Sequence, residues 1–179
     1  MINDKTTMGE TVSAGLVMGH PMAEKVLAPR FRYQVECVGA DGQVKWTEDV
    51  YNTVMTVGRT DIIDKYFKGS SYTAAWFLGL KGTGSQVVGD TLASHAGWAE
   101  VNPYTGNRPA ITFGTTSGGS NTATAVSYSI NATATCAGAF VASVNTGTAG
   151  TLYSASDFSV SRSVISGDTL NVTLTVTAA

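Results

Sequence analysis

Apolar and polar side chains alternate along most of the chain from residue 30 onward, and this alternation predicts β-strands. In residues 30–38 every second side chain is apolar: Phe31, Tyr33, Val35 and Cys37. The same alternation resumes in residues 44–47, after Asp41-Gly42, a dipeptide typical of a tight hairpin turn. The pattern therefore predicts that a folded domain over residues 30–179 begins with a β-hairpin.

Further short strands follow at spacings of about ten residues. A third strand is predicted over residues 53–57, and eight more over residues 72–80, 97–101, 110–115, 123–134, 139–144, 151–154, 159–165 and 169–177. Many short strands separated by Gly, Asn and Ser turns are typical of an antiparallel β-sandwich or a jelly-roll-like domain. We therefore expect a mainly β fold of that kind.

One segment departs from the alternation and predicts a helix near residues 59–68. Its apolar residues recur at helical spacing: Ile62, Ile63, Tyr66 and Phe67. Asp61 falls in the first turn, Lys68 in the last, and Gly69 just past the end, which is the usual arrangement of charges and glycine at helix termini. We expect a single short helix here, with Asp61 and Asp64 on its solvent face.

The first 29 residues show neither period and are predicted to form an extended N-terminal arm. Glycines and prolines interrupt them, and the apolar residues are scattered. Such a segment is either a loose tail or an arm that becomes ordered against a neighbour. Six apolar side chains favour the arm and are the candidate residues for binding a partner: Leu16, Val17, Met18, Met22, Val26 and Leu27.

Charge is distributed unevenly, and its distribution narrows the possible partners. Only seven of the 24 charged side chains lie beyond residue 68, where Ser and Thr make up 33 of 111 residues. Thr hydroxyls keep an exposed strand face hydrated without adding charge. The net charge of −2 leaves no basic field for nucleic acid. The N-terminus lacks the pattern of a signal peptide, and no apolar run is long enough to span a bilayer, so we expect synthesis in a cytoplasm and no membrane partner.

Few residues of the sequence are candidates for catalysis or metal binding. Ser94, His95 and Asp90 provide the residue types of a hydrolase triad, but no nucleophile-elbow pattern surrounds Ser94, so a polar loop histidine is the favoured interpretation. Cys37 and Cys136 are compatible with a disulfide, although two buried free thiols are favoured. The adjacent acids Glu48 and Asp49 are interpreted as solvated edge charges on opposite strand faces. We expect no catalytic residue, no metal and no cofactor.

Three stretches of the sequence resemble a class of small virion structural proteins of tailed bacteriophages. They are Tyr66–Leu80, Gly89–Trp98 and Ser163–Thr173, and the similarity extends over roughly residues 30–179. The resemblance implies a capsid decoration or cement protein that is made in the host cytoplasm and located on the capsid exterior. It also implies the major capsid protein and further copies of this chain as partners, and it brings no catalytic residues. Residues 1–29, the 30–57 hairpin region and the helix would then face the shell.

Two other functions stay open at the level of sequence. A tail-associated protein, such as a fibre, an adaptor or a receptor-binding component, also uses charge-poor β-sandwiches. A carbohydrate-binding or hydrolytic module would need paired acids or an aromatic cluster on one face. Trp76, Trp98 and Tyr104 are the candidates for such a cluster, although core packing also accounts for the tryptophans.

Overall fold

The computed structural model of the protein describes residues 29–72 and 74–178. This part of the chain is mainly β-structure, with two antiparallel sheets and one short helical segment. The arm predicted over residues 1–29 lies outside the described residues except for Pro29, and so do its six candidate binding residues.

The described chain contains ten strands and one helix. The strands are β1 (Arg30–Val38), β2 (Val44–Tyr51), β3 (Thr53–Val54), β4 (Phe77–Lys81), β5 (Glu100–Val101), β6 (Ser120–Thr122), β7 (Val126–Ser129), β8 (Ala134–Ala142), β9 (Leu152–Val164) and β10 (Thr169–Thr177). Helix α1 (Thr56–Ile62) lies between β3 and β4 and continues as a π-helical turn over Ile63–Phe67.

The first sheet has the strand order β2-β1-β10-β6, and β7 also pairs with β10. β1 and β10 pair antiparallel over their whole length, from Arg30 opposite Thr177 to Val38 opposite Thr169. The predicted hairpin of β1 and β2 is confirmed. Gly42 in its turn has a φ of 78°, a conformation that glycine adopts without steric cost.

The second sheet has the strand order β3-β9-β8-β4-β5. β8 and β9 pair antiparallel, but their register shifts between Cys136 and Gly138 and again between Val141 and Ala142. Such irregularities insert an extra residue in one strand and interrupt the alternation of faces. The polarity pattern of these strands therefore does not follow a simple period of two.

The predicted strand bounds are correct for β1 and β10 and partly wrong elsewhere. The strands predicted over 151–154 and 159–165 are a single strand, β9. The segment 123–134 contains only the four-residue β7 and the first residue of β8, and residues 110–115 form isolated bridges at Ala110 and Phe113 rather than a strand. β4 begins at Phe77, later than the predicted residue 72.

Side chains from both sheets contribute to one hydrophobic cluster. Its fully buried members include Tyr33 of β1, Leu174 of β10, Leu80 of β4 and Val141 of β8. Two buried tyrosine hydroxyls also bond from one sheet to the other. Tyr33 Oη lies 2.7 Å from Ser154 Oγ, and Tyr128 Oη donates to the carbonyl oxygen of Leu78 at 2.8 Å. These bonds satisfy hydroxyl groups that would be costly to bury alone.

A second cluster covers the other face of the second sheet. Phe140 of β8 packs there with Met55, Leu92, Trp98 and Leu152. β8 is therefore buried on both faces, because neighbouring residues such as Val141 point into the first cluster. A strand buried on both faces reads as a continuous apolar run.

The two cysteines are buried free thiols, as predicted. Burial raises the pKa of Cys37 to about 11 and that of Cys136 to about 12, so both stay protonated at neutral pH. Among the helices that the structure describes, none is long and apolar enough to cross a membrane.

Candidate binding surface

Helix α1 lies directly against β9 because a glycine lets the two backbones approach. Gly58 is the buried residue of α1, and a Cβ atom added there would lie 2.5 Å from the carbonyl oxygen of Tyr153. At the start of the helix the Thr56 N–H donates to the carbonyl oxygen of Val88 at 2.9 Å. These contacts fix α1 at the end of β9 where Tyr153 lies.

The helix predicted over residues 59–68 is present, but it begins three residues earlier and its second half is a π-helical turn. The turn ends at Phe67 with Lys68 as its C-cap residue, and Gly69 follows with a φ of 75°. Single π-helical turns are rare and often occur at functional sites, because the wider turn redirects the side chains that follow. Here Tyr66 and Phe67 lie within the turn itself.

Three apolar side chains of this turn project into solvent, and we call them the aromatic ridge: Ile63, Tyr66 and Phe67. Tyr66 is 81% exposed and Phe67 is 77% exposed. Their rings meet edge to face, with centroids 5.0 Å apart. Single exposed apolar residues are ordinary, whereas a contiguous exposed group usually marks a contact surface. Of the four apolar residues that recur at helical spacing in the sequence, only Ile62 packs against the core. The spacing of Ile63, Tyr66 and Phe67 therefore reflects a shared exposed face.

Beside the ridge lies a cavity of about 310 Å³, which we call the aromatic groove. Its apolar walls are Phe31, Ile62, Trp76, Val141, Tyr153 and Val176. Phe31 and Val176 belong to the first sheet, and Val141 and Tyr153 to the second. The groove thus opens between the ends of the two sheets, next to the residue at which β1 begins.

The aromatic side chains of the groove hold one another in place. Tyr153 lies between two rings, with centroids 5.3 Å from Phe31 and 4.9 Å from Trp76. The Trp76 indole N–H donates to the Tyr72 hydroxyl at 3.1 Å. Edge-to-face and tilted aromatic pairs of this kind stabilise a fixed shape. The groove is therefore formed before any ligand binds.

Two opposite charges accompany the apolar walls. Asp61 and Lys65 both line the groove and are half-buried, and the Lys65 ammonium donates to the carbonyl oxygen of Ser71 at 2.7 Å. Burial, helped by the nearby Asp61 carboxylate, raises the pKa of Tyr153 above its ordinary value of 10, so its hydroxyl stays protonated. Asp64 is farther out and pairs with Lys68 at 3.5 Å on the exposed side of the helix. The surface as a whole suits binding of an apolar segment that carries a few charges.

The triad candidates are not brought together in the geometry of a hydrolase. His95 Nδ1 lies 3.0 Å from the carbonyl oxygen of Trp98, and the two rings stack with centroids 4.1 Å apart. Asp90 accepts a hydrogen bond from the Trp98 indole at 2.9 Å, and the Ser94 N–H donates to Thr91 Oγ1. These residues fold the loop between β4 and β5 over the second hydrophobic cluster.

The interpretation of Glu48 and Asp49 as solvated charges is wrong for Glu48. The two do point in opposite directions, and Asp49 pairs with Arg32 on the exposed face. Glu48 is instead buried and accepts hydrogen bonds from the Ser159 N–H at 3.0 Å and from Arg162 Nε at 2.7 Å. The sequence gives no sign of this arrangement, because the partners are more than 110 residues away.

The three aromatic residues considered for carbohydrate binding do not share a face. Trp98 is buried in the second cluster, Tyr104 packs on Tyr128 in the first, and only Trp76 reaches the groove. Core packing accounts for two of the three, Trp98 and Tyr104.

No protein-family model matches the chain, and comparisons with curated proteins and with solved structures give no significant match. Within residues 29–72 and 74–178, no group of His, Cys, Asp and Glu side chains has the geometry of a metal site.

Proposed function

We propose that this protein is a structural protein of a tailed-bacteriophage virion that binds the outside of the capsid shell as a decoration or cement protein. It acts by binding rather than by catalysis. Its partners are the major capsid protein and further copies of itself, and it is synthesised in the host cytoplasm. The observation that carries the proposal is the exposed aromatic ridge beside a preformed groove. The ridge lies in the N-terminal part of the chain, residues 1–68, where most of the charged side chains are also found.

The proposed architecture is an antiparallel β-sandwich in which the two sheets form the two layers. The shared hydrophobic cluster and the Tyr33 and Tyr128 hydrogen bonds between sheets support it. A sandwich of this kind is rigid, so it presents the ridge in a fixed orientation. Preorganisation of this sort lowers the entropic cost of binding.

The ridge has the composition of a protein-binding hot spot. Aromatic residues are enriched at the centres of interfaces, where they contribute a large part of the binding free energy. A stable interface buries about 800 Å² on each partner, which is more than two aromatic side chains supply. The arm over residues 1–29 and the outer face of the β1–β2 hairpin would extend the contact with the shell. The Ser- and Thr-rich remainder would face outward or pack against other copies.

Replacing the two ridge aromatics tests this proposal. Tyr66→Ser combined with Phe67→Ser should weaken binding to undecorated shells at least tenfold, because hot-spot aromatics contribute about 2 kcal/mol each. The substituted side chains are exposed, so the unfolding free energy should change little. Occupancy is measured by sedimentation of shells mixed with increasing protein. Val160→Ser is the matched control, because Val160 is also an exposed apolar residue but lies on β9 away from the ridge. Equal binding by all three proteins would contradict the proposal.

Removal of the arm is the second test. Deleting residues 2–28 should abolish binding to shells while leaving a β domain with a cooperative thermal transition, since the residues removed precede β1. Full decoration of shells by the folded truncated protein would show that the arm takes no part in binding.

Copy number separates the proposed shell location from a tail location. A decoration protein is present in hundreds of copies per particle, whereas a fibre, adaptor or receptor-binding component is present in a dozen or fewer. Quantitative gel analysis of purified virions measures this number. A low copy number would indicate that the protein belongs to the tail and uses the same surface to bind a tail component.

A further inference from the structure

A second cavity of about 310 Å³ opens beside the first residue of β1, and we call it the basic pocket. Its lining includes Arg30, Asn52, Thr53, Val54, Arg59 and Val88. Among the described residues that line it there are two arginines and no aspartate or glutamate. The basic pocket therefore has a local positive charge, although the chain as a whole is slightly acidic.

The two arginines of the basic pocket have no counter-charge in the part of the chain that the structure describes. Arg30 and Arg59 are both exposed, and neither forms an ion pair there. By contrast, Arg32 of the same strand pairs with Asp49. The Arg30 guanidinium lies over the Tyr51 ring, 5.2 Å from its centroid, a contact that orients the group without neutralising it. Because two like charges that line one cavity repel each other, a bound anion would lower the electrostatic free energy.

An amide without an acceptor adds to this positive potential. Asn52 links β2 to β3, and its Oδ1 accepts a hydrogen bond from the Phe31 N–H at 3.0 Å, which fixes the orientation of the amide. The Nδ2 group is buried and has no acceptor among the residues described. Buried donors are nearly always paired, so an unpaired one requires an explanation such as a bound ion. The positive end of the amide dipole is thus uncompensated in a residue that lines the basic pocket.

Backbone hydrogen bonds fix the chain segments that meet at the basic pocket. The Asn52 N–H donates to the carbonyl oxygen of Phe31 at 3.0 Å, and the Thr56 N–H donates to that of Val88 at 2.9 Å. The first bond holds the link between β2 and β3 against β1, and the second holds the start of α1 against the loop that contains Val88. The backbone around the pocket is therefore in place before a ligand binds.

We propose that the basic pocket binds a phosphate group between the guanidinium groups of Arg30 and Arg59. A phosphate monoester has a charge of about −1.5 to −2 at pH 7, which matches the two arginines. Its oxygens do not share one plane, so it can accept hydrogen bonds from two guanidinium groups on different elements, whereas a carboxylate offers two oxygens in a single plane. The ligand is inorganic phosphate or a small phosphate monoester, whose organic part would lie against the exposed Val88. This inference goes beyond the proposed function and does not rest on it.

Titration of the ¹⁵N-labelled full-length chain with inorganic phosphate tests the inference, with sodium chloride used to keep the ionic strength constant. The backbone amide signals of Arg30, Thr53, Arg59 and Val88 and the side-chain amide signals of Asn52 should shift and saturate together. Absence of saturable shifts at these residues would overturn the proposal.

Parallel titrations with sodium acetate and with glycerol 3-phosphate define the ligand. Acetate should bind about tenfold more weakly than inorganic phosphate, because it has one negative charge and only two acceptor oxygens. Tighter binding of inorganic phosphate than of glycerol 3-phosphate would identify the free anion as the ligand, and the reverse order would identify a monoester; both results support a phosphate site. Equal affinity for acetate and phosphate would overturn it.

Neutral variants of the two arginines locate the site. Arg30→Gln and Arg59→Gln should each weaken phosphate binding about tenfold, because each removes charge-assisted hydrogen bonds to the anion. Lys68→Gln is the matched control: Lys68 follows the same helical segment as Arg59, its side chain is 73% exposed, and it does not line the basic pocket. The control should change the affinity by no more than about twofold, since exposed charges outside the site are screened by salt. Equal weakening by all three substitutions would overturn the proposal, because it would show a response to net charge alone.

Asn52→Asp provides a further variant of almost unchanged shape. The aspartate keeps an oxygen acceptor for the Phe31 N–H but replaces the amide donor with a negatively charged oxygen. Phosphate binding should be lost, while the amide signals outside the basic pocket keep their positions and so show that the domain is folded. Phosphate binding by this variant with unchanged affinity would overturn the proposal.

Discussion

Gly79 shows how strongly a single side chain is constrained in this fold. Gly79 of β4 lies directly opposite Phe140 of β8, and a Cβ atom at residue 79 would overlap the Phe140 ring. The ring is fully buried and is held on its other sides by Trp98, with centroids 5.3 Å apart, and by the Arg108 guanidinium, 5.3 Å from the ring centroid. These neighbours restrict how far the ring can move to make room for a Cβ atom.

We expect Gly79→Ala to lower the unfolding free energy by about 1–3 kcal/mol, the usual cost of overpacking a core. Urea denaturation followed by tryptophan fluorescence measures the change. Gly89→Ala is the matched control, because a Cβ atom at residue 89 meets no other atom within 4 Å. The control should differ from the unmodified protein by no more than about 0.5 kcal/mol. Similar losses in both variants would show that the Phe140 contact is not the cause.

At the scale of elements, Glu48 connects the edge strand of one sheet to a long strand of the other. Its carboxylate, on β2, accepts hydrogen bonds from the Ser159 backbone N–H, from Ser159 Oγ at 2.8 Å and from Arg162, all on β9. Its side chain is only 3% exposed. The carboxylate thus provides an acceptor for the backbone N–H of Ser159.

We expect Glu48→Gln to lower the unfolding free energy at pH 7 by about 2 kcal/mol, because the amide accepts fewer bonds and leaves Arg162 without its counter-charge. The neighbouring substitution Asp49→Asn is the control and should have little effect, since Asp49 and Arg32 form an exposed ion pair. Thermal and urea unfolding of the two variants provide the comparison. A loss for Asp49→Asn as large as that for Glu48→Gln would argue against a special role of the buried carboxylate.

The same contacts determine the acid response. Burial raises the pKa of Glu48, but the hydrogen bonds from Ser159 and the Arg162 guanidinium outweigh it, so the folded-state pKa lies below its ordinary value of 4.5. The stabilisation is therefore complete above pH 4.5 and is lost as the pH falls through the folded-state pKa. The unfolding free energy of the unmodified protein should decrease more steeply below pH 4.5 than that of Glu48→Gln. Parallel pH profiles would contradict this assignment.

The elements that the sequence predicts well are those with one buried face. β1 and β10 alternate cleanly because one side of each strand packs in the core, and their bounds were predictable from that pattern. β8 is buried on both faces and its pairing with β9 shifts register, so the pattern there gave wrong bounds. Helical spacing indicated a helix near residues 59–68, but spacing alone does not show whether an apolar face is covered.

The candidate site was less predictable than the fold, and for a physical reason. The groove forms where residues of β1, β8, β9 and β10 converge with α1, and no local pattern encodes that convergence. The sequence feature that could have indicated the site is a dense run of aromatic residues: Tyr66, Phe67 and Tyr72. The six residues predicted in the arm lie outside the described residues, and their role stays a prediction.

For the whole molecule, the two buried thiols report on cooperative unfolding. Cys37 and Cys136 are fully buried in strands of different sheets. We expect neither to react with a thiol reagent such as Ellman's reagent in native conditions, and both to react when the protein unfolds in urea. The labelling rate should therefore increase with urea in parallel with global unfolding. Labelling of one cysteine at a rate independent of urea would reveal local opening of its sheet.

The pairing of β1 with β10 has a consequence for folding during synthesis. β10 is hydrogen-bonded to β1, β6 and β7, so a strand that is synthesised after all three joins them into a sheet. Until residues 169–177 emerge, β1 and β2 form only a hairpin, and isolated hairpins are marginally stable in water. Because β1 pairs with a strand that lies far along the chain, the first sheet can close only after residues 169–177 have emerged. The nascent chain therefore exposes the core face of β1 while residues 39–168 are synthesised, and a chaperone would act on it in this interval.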